Sequence, residues 1–264
     1  MTDNEFPQVV PAGAYGGFAK MDFHVHTPVS RCYEDNMYPE LGLHTQPEDI
    51  VRAAVDAGLQ AMVVSDHNAV ASIDPIRGIA RKSGLVIFPG MELTTHGGHL
   101  LALFEPDTAV DYMTRLLDLL EFPEEEWGNP TYSTQLWLDE AAGKVEQMGG
   151  LAIAAHIDRE PRGFVAGQFD RAIKVRIHGS DYLGGLEITD PRDKPRWEQG
   201  KVRHFLKPYP VVQGSDAHAP REVGRRPTFL YMPELNLTGM RRAFEEYQDF
   251  VKFPEELEHE LRMD

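Results

Sequence analysis

The chain has 264 residues, of which 42% are apolar, and this is enough to bury the core of one barrel-sized α/β domain. Lys and Arg total 26 against 42 Asp and Glu, and the formal net charge of -16 disfavours a nucleic-acid partner because it repels phosphates. One cysteine excludes an intrachain disulfide, and the absence of an apolar run of roughly 18 to 20 residues predicts a soluble cytoplasmic protein with no membrane partner.

Short apolar runs alternate with amphipathic segments along the chain, a pattern typical of repeated βα units around a mostly parallel sheet. We expect one domain over residues 1–264, with an extended lead-in at 1–19 and an acidic helix or tail at 250–264. The predicted strands are 21–25, 61–65, 86–89, 100–104, 151–155, 185–188, 211–213 and 228–231. The predicted helices are 46–57, capped by Thr45, then 73–82, 109–120, 134–147, 194–205 and 237–247. Loops are predicted at 121–132 and 161–177.

Two histidines, His24 and His26, lie one residue apart at the end of the first predicted strand. Alternate residues of a strand point to the same face, so both imidazoles can reach one cation. Imidazole nitrogen is a common ligand of transition metals. We therefore interpret the pair as half of a metal site.

Further polar residues lie where other predicted strands begin or end. They are His67, His99, His156, His218, Asp66, Glu92 and Asp216. The carboxyl ends of parallel strands converge on one rim, so these groups are expected to meet there. Buried together without counter-charge they would suffer desolvation and repulsion, which divalent ions relieve. For any one histidine alone, a hydrogen-bonded structural role is the alternative, and that role is assigned to His44, His96, His178, His204 and His259, which lack the strand-end context.

Five motifs occur in a fixed order: "DFHVHT", "SDHN", "GMEL" followed by "GHLLALF", "AHIDR" and "GSDAH". Together they resemble the motifs of the polymerase-and-histidinol-phosphatase (PHP) superfamily. The resemblance covers the chain from about Asp22 to His218. It implies a distorted (βα)7 TIM-like barrel that holds two to three divalent ions, commonly zinc, manganese or iron, and hydrolyses phosphoesters.

The resemblance also implies three sets of metal ligands. The first set is His24, His26, Glu92 and Asp216, and Glu92 bridges to a second ion held by His99 and His156. The third set is His67 and His218 with one residue from the loop after His26. That loop departs from the family pattern because it carries Arg31 and Cys32. A thiolate is a reasonable ligand for zinc or iron, so Cys32 is the preferred candidate. Glu34 or Asp35 is the alternative, and Cys32 is then an inert buried thiol.

Adjacent dications lower the pKa of a bridging water, and the resulting hydroxide is the predicted nucleophile. Asp216 is expected to orient it. Asp66 is either the general acid or a group that supports a ligand imidazole, with water on the third ion as another source of the proton. Arg159 and Arg162 are candidates for binding phosphate oxygens, ahead of Arg31, Arg225 and Arg226. For each arginine a surface ion pair is the alternative. Glu187 is expected at the same rim, orienting a ligand or pairing with an arginine.

The predicted function is a metal-dependent phosphoesterase, acting as a phosphomonoesterase or small phosphodiesterase on a small phosphorylated substrate. The alternatives are an amidohydrolase-type enzyme, because activated water also attacks carbonyls, and a non-catalytic metal-binding module. A nuclease of long polymers is disfavoured by the net charge of -16.

Overall fold

The computed structural model describes residues 7–11 and 14–261, and within them the strands form one curved mixed sheet. The strands are β1 Phe18–Val25, β2 Ala61–Val64, β3 Val86–Thr95, β4 Gly98–Leu103, β5 Leu151–Ala154, β6 Gly185–Glu187, β7 Val211–Val212, β8 Thr228–Tyr231 and β9 Val251–Lys252. All the predicted strands are present. Residues 1–6 and 12–13 of the predicted lead-in and 262–264 of the predicted tail lie outside the described residues.

The helices are α1 Glu34–Met37, α2 Pro47–Asp56, α3 Ile73–Ala80, α4 Val110–Leu119, α5 Leu138–Gln147, α6 Arg171–His178, α7 Lys194–Glu198, α8 Leu237–Glu245, α9 Tyr247–Phe250 and α10 Pro254–Leu261. Helix α6 lies where a loop was predicted. The sequence did not indicate this helix, because only its last two residues are buried and it carries little helical periodicity. Helix α7 ends well before the predicted residue 205, and Gly200 follows it with a φ of 61°. Gln46, not the predicted Thr45, is the N-cap of α2.

The sheet order is β7-β6-β5-β4-β3-β2-β1-β8-β9. Strands β1, β2 and β3 are parallel to one another, as are β5, β6 and β7, whereas β4 is antiparallel to both of its neighbours. A bridge between Val25 and Ala217, the latter beyond β7, links the two ends of this arrangement, and the backbone N–H of His26 donates to the carbonyl of Ala217 at 3.0 Å. The sheet is therefore a nearly closed barrel, and the predicted fold class is confirmed.

The antiparallel β4 is a difference from the mostly parallel sheet that was predicted. Strand β3 continues past Pro89 to Thr95 and turns at once into β4. Gly97 and Gly98 adopt φ values of 99° and 140°, which only glycine adopts readily. A link this short forces an antiparallel pair. The hairpin places Glu92 and His99 on one face, because Thr94, two residues after Glu92, pairs with His99.

Both faces of the sheet are buried. Met62 and Val64 belong to one apolar cluster, which includes residues of α2 to α5, and Ala61 and Val63 belong to another, which includes residues of α8. This burial pattern is typical of barrel strands and leaves the strand ends as the place for polar groups. Within the described part of the chain, no helix combines the length and the apolar character that a bilayer crossing needs.

Candidate metal centre

One buried carboxylate, that of Glu92 in β3, lies at the centre of the site and is 1% exposed. Five imidazoles approach its two oxygens. Oε1 is 2.7 Å from Nδ1 of His99 and 2.8 Å from Nε2 of His156, and Oε2 is 3.1 Å from Nδ1 of His67, 3.2 Å from Nε2 of His24 and 3.3 Å from Nε2 of His26. The strand-end histidines predicted from the sequence therefore meet at one rim.

The first predicted ligand set forms a compact group of four atoms. Nε2 of His24 and Nε2 of His26 are 3.1 Å apart, and Oδ1 of Asp216 is 3.5 Å from the first and 3.2 Å from the second. Oε2 of Glu92 completes the group. Donors about 2.0 to 2.1 Å from a tetrahedral ion are separated by about 3.3 Å, which is close to the spacing of these atoms. The four donors therefore fit a single small cation.

Two further groups share members with the first. One is His67, Glu92 and His99, and the other is His26, His67 and His218. His99 and His156, which the resemblance assigned to the second ion with Glu92, both approach Oε1 of this carboxylate, at 2.7 and 2.8 Å. His67 approaches the other oxygen, Oε2, at 3.1 Å.

Cys32 lies beside the third group, with Sγ 3.1 Å from Nε2 of His218. The two alternatives to Cys32 are engaged elsewhere: Glu34 pairs with Arg221, and Asp35 accepts hydrogen bonds from Thr45. Burial, and then the nearby carboxylates, raise the pKa of the Cys32 thiol to about 12. Cys32 would thus be a thiolate only with a cation beside it.

Unpartnered buried atoms test whether cations fit here. Oε2 of Glu92, Nδ1 of His67 and Nδ1 of His156 are buried without a hydrogen-bond partner among the described residues. A buried polar atom left unpaired costs about 1 to 3 kcal/mol, so two such atoms only 3.1 Å apart, on Glu92 and His67, need an explanation. A divalent cation between imidazole and carboxylate donors supplies it, and the donor chemistry suits zinc, manganese or iron.

The imidazoles are oriented through their other nitrogens. Nδ1–H of His24 donates to Glu187 at 3.1 Å, Nδ1–H of His26 donates to Oγ of Ser30 at 3.0 Å, and Nδ1–H of His218 donates to the carbonyl of Asp216 at 2.9 Å. In each case Nε2 is left to face the site. Metal-ligating histidines are commonly held in this way.

Asp66 lies behind this arrangement. Its carboxylate accepts hydrogen bonds from the backbone N–H of Thr27 at 2.8 Å and from the hydroxyls of Thr27, Ser30 and Ser72. Ser30 also accepts a hydrogen bond from Nδ1–H of His26. Asp66 therefore supports this imidazole through the hydroxyl of Ser30, whereas a direct contact was expected from the sequence. Asp66 is fully buried and does not line the cavity above the metal ligands.

Two of the candidate ligands have a strained backbone. His156, in the turn after β5, has a φ of 28°, and Asp216, in the loop after β7, has a φ of 49°. A positive φ in a residue other than glycine costs of the order of 1 to 3 kcal/mol and is concentrated at functional sites. Both side chains contact the other donors of the site, Asp216 through His26 and His156 through Glu92.

A cavity of about 260 Å³ opens above the ligands, and Arg159 and Arg162 line it. Arg159 pairs with Oδ2 of Asp216, the oxygen that the first donor group does not use. Among the other arginines considered, Arg31 binds the loop at 124–126, and Arg225 and Arg226 donate to backbone carbonyls. The two arginines placed first by the sequence analysis are thus the ones at the cavity.

The histidines interpreted as structural lie outside the donor groups. His44, His96 and His204 are exposed, and His178 is buried among aromatic rings. The side chain of His259 lies outside the described part. Ser30 and Asp22 were not predicted. Asp22 accepts from the backbone N–H groups of Ser215 and Gly224, which holds the Asp216 loop against β1, and neither residue has a local sequence signal for this role.

Comparisons with known proteins agree with this fold. No protein-family profile matches the chain. An uncharacterised protein of Methanocaldococcus jannaschii is 23% identical over 139 residues, which are 52% of this chain and 67% of that protein. Because this relative is uncharacterised, it indicates no activity.

Solved structures are similar over most of the chain. Endonuclease Q of Pyrococcus furiosus, a lesion-specific endonuclease, has a TM-score of 0.64 at 16% identity, over 89% of this chain and 57% of its own. A two-domain protein of Bacteroides vulgatus containing a predicted PHP-like metal-dependent phosphoesterase has a TM-score of 0.59 at 20% identity, over 96% of this chain and 69% of its own. The fold is that of a PHP-type barrel, as the five motifs predicted. The chain spans little more than half the length of endonuclease Q, 57%.

The prediction that nucleic acid is an unlikely partner is wrong. A structure of endonuclease Q holds a 27-mer duplex with an abasic lesion at its active site, and it has a TM-score of 0.62 with this chain at 17% identity. A barrel of this fold thus acts on DNA in endonuclease Q, and this finding contradicts the prediction that nucleic acid is an unlikely partner. The prediction failed because a net charge of -16 is summed over the whole surface, whereas binding depends on the charge at the site, where Arg159 and Arg162 lie.

Proposed function

We propose that this protein is a metal-dependent hydrolase of phosphoesters. The observation that carries the proposal is the group of four donor atoms from His24, His26, Glu92 and Asp216, whose spacing fits one small cation. The unpartnered oxygen of Glu92 and the neighbouring His67 support at least one more ion. We propose two to three ions in all, with zinc, manganese or iron as candidates.

Divalent ions, when bound, lower the pKa of water and offset the negative charge of a phosphoryl group. The residues of the chain position the substrate around them. Arg159 and Arg162 line the cavity and are proposed to bind the phosphoryl oxygens that do not take part in bond breaking. Asp216 is proposed to hold the attacking water in line, with Arg159 fixing the orientation of its carboxylate.

The roles of Cys32 and Asp66 follow from their contacts. Cys32 is proposed as a ligand of the third group, because Sγ touches His218 and the acidic alternatives are paired elsewhere. Asp66 is proposed as a positioning residue that acts through Ser30, since it accepts four hydrogen bonds. A carboxylate so engaged is a poor proton donor to a substrate.

Hydrolysis of p-nitrophenyl phosphate, bis(p-nitrophenyl) phosphate and a duplex with an abasic site, each with added manganese or zinc, tests the proposal. We expect turnover of at least one of them and a loss of more than about 100-fold in His24→Ala, because that variant removes a donor of the four-atom group. His44→Ala is the matched control, since His44 is exposed and outside the donor groups.

Two results would contradict the proposal. One is hydrolysis of an ester or amide of a carboxylic acid with no turnover of any phosphoester, which would favour the amidohydrolase alternative. The other is elemental analysis that finds no transition metal in the folded protein, together with no uptake of added ions, which would remove the basis for metal-dependent chemistry.

A further inference from the structure

A cavity of about 290 Å³ lies between the N-terminal parts of α2 and α3 and the loop that follows β1. It has no lining residue in common with the cavity above the metal ligands. The side-chain polar groups that line it are the hydroxyls of Thr27, Thr45 and Ser72. Apolar walls with a few placed polar groups are typical of a site for a small molecule. The apolar walls here are formed mainly by Pro28, Val29, Pro47, Ile50, Pro75 and Ile76.

The hydrogen of each of the three hydroxyls is already donated inside the protein. Thr27 and Ser72 donate to the carboxylate of Asp66, and Thr45 donates to that of Asp35 at 2.8 Å. A hydroxyl has one hydrogen and two acceptor lone pairs. These three groups can therefore offer a ligand only the acceptance of a hydrogen bond.

The backbone of the walls also has few free donors. The N–H groups of Thr27 and Thr45 donate to the same two carboxylates, and that of Val29 donates to the hydroxyl of Thr27 at 3.2 Å. A proline has no N–H. Three of the lining residues are of this type: Pro28, Pro47 and Pro75.

Two helices begin at this cavity, and a helix N-terminus by itself favours an anion. In α2 the N–H of Gln46 donates to the carboxylate of Asp49 at 2.8 Å, and Glu48 adds a second negative charge in the first turn. In α3 the first turn carries Asp74. These acidic side chains offset the partial positive charge of both helix ends.

The carboxylate behind two of the hydroxyls is fully buried. Asp66 is 0% exposed, and the hydrogen bonds that it accepts come from one backbone N–H and three hydroxyls, all of them uncharged. Burying a charge is costly unless an opposite charge lies close by. A cation in the cavity that contacts Thr27 or Ser72 would be separated from Asp66 by a single hydroxyl and would lower this cost.

We propose that this cavity binds a small primary amine with an apolar body, whose ammonium group donates to the hydroxyls of Thr27 and Ser72. An alkylammonium keeps its proton at neutral pH, as the side chain of lysine does. Its N–H groups match the acceptors, its charge matches Asp66, and its hydrocarbon part matches the apolar walls. The amine is a second ligand, so its site does not depend on the reaction proposed at the metal centre.

The cavity and the metal centre have Asp66 in common. Ser30 donates to Asp66 and accepts from Nδ1–H of His26, so one carboxylate stands behind two hydroxyls of the cavity and one ligand imidazole. An ammonium ion and a metal dication near the same carboxylate repel each other. Each therefore weakens the binding of the other, and by the same factor.

Titration of the metal-free protein with 2-phenylethylamine, followed by two-dimensional ¹H–¹⁵N NMR, tests the site. We expect the signals of residues 27–29, 45–50 and 71–76 to shift together. The uncharged 2-phenylethanol should bind about fivefold more weakly, and 3-phenylpropionate more weakly still, because the walls offer it acceptors and a buried negative charge. A carboxylate ligand that binds as tightly as the amine would overturn the proposal.

Variants of the walls localise the binding. Ala71 lines the cavity at an exposed position, so Ala71→Trp narrows it, and Ser72→Ala removes one acceptor. We expect each to lower the affinity for the amine about tenfold or more. Ala172→Trp is the control, because Ala172 is exposed and does not line this cavity. An unchanged affinity in Ala71→Trp would overturn the proposal, since an amine held among the empty metal ligands would give that result.

Zinc gives a further measurement. With excess zinc the wild-type protein should bind the amine about fivefold more weakly, and saturating amine should lower the zinc affinity by the same factor. An amine that coordinates the ion itself would bind more tightly when zinc is present. That result, or equal amine affinities with and without zinc, would overturn the proposal.

Discussion

Glu187 connects two ligands that come from different strands. Its carboxylate accepts from Nδ1–H of His24 at 3.1 Å and from the backbone N–H of His156 at 2.9 Å. The first contact fixes which nitrogen of His24 faces the site, and the second holds the strained backbone of His156 in place. Of the two roles that the sequence left open for Glu187, the contacts favour orienting a ligand over pairing with an arginine.

Replacement of this carboxylate tests the positioning role. Glu187→Gln keeps the size of the side chain but removes its charge, and an amide is a weaker acceptor for the imidazole N–H. We expect zinc affinity, measured by competition with a chromophoric chelator, to fall about 10- to 100-fold. The melting temperature of the metal-free protein should change little. Glu125→Gln, at an exposed position outside the donor groups, should match the wild type. Equal affinities in both variants would rule out the positioning role.

At this scale the sequence indicated the candidate ligands and two residues that support them, Glu187 and Asp66, but not Ser30 or Asp22. Histidines at strand ends are visible because strand periodicity and the motifs fix where each one lies. Ser30 and Asp22 act through hydrogen bonds to residues far away in the chain, such as Asp66 and Ser215. Nothing in the local pattern around a serine or an aspartate records such a partner, so these residues required the structure.

Among the elements, the β3–β4 hairpin and helix α6 differ most from prediction. The hairpin was missed because a continuous apolar run does not reveal strand direction, which is set here by the two glycines of the turn. Helix α6 was missed because it buries only Ile177 and His178. Both elements contribute to the surroundings of the site: the hairpin supplies Glu92 and His99, and Phe169, just before α6, lines a cavity of about 370 Å³ together with His99.

The end of α6 carries a testable dependence on pH. His178 is 2% exposed among the rings of Phe164, Trp197, Phe205 and Tyr209. Burial, and then Lys207, lower its pKa to about 4. The folded protein therefore keeps this imidazole neutral, while the unfolded chain takes up a proton below about pH 6.5. The stability that His178 contributes is complete above pH 6.5 and is lost as the pH falls towards 4.

His178→Phe should remove this contribution, because phenylalanine has no proton to take up and Nε2 of His178 has no hydrogen-bond partner to lose. We expect the fall in the free energy of unfolding between pH 7 and pH 4 to be about 3 kcal/mol smaller in the variant. Urea unfolding of the metal-free proteins at both pH values measures it. His44→Phe, at an exposed position, should behave like the wild type. A parallel pH dependence in His178→Phe would contradict the assignment.

For the whole molecule, the barrel explains why the proximity of the candidate ligands could be predicted and the substrate could not. Four of the motifs lie at or just after the ends of β1, β2, β5 and β7, and GMEL and GHLLALF lie within the β3–β4 hairpin. Closure of the sheet between Val25 and Ala217 brings the first and last motifs together. The topology thus brings the candidate ligands together. The substrate depends on loops such as 34–43 and 161–169, whose shapes follow from tertiary contacts, and the net charge of -16 misled because it ignores where the charges lie.

Because the ligands come from both ends of the chain, a bound ion should stabilise the whole barrel and not one loop. His24 and Asp216 belong to segments that join only when the barrel closes, so unfolding has to release the ion. At metal concentrations about 1,000 times the Kd, this linkage adds about 4 kcal/mol to the free energy of unfolding. For a chain of this size, that raises the melting temperature by roughly 10 °C. Calorimetry with a chelator and then with excess zinc or manganese measures the difference. His24→Ala should lose most of the increase and His44→Ala should keep it, and an unchanged wild-type melting temperature would contradict the linkage between metal binding and folding.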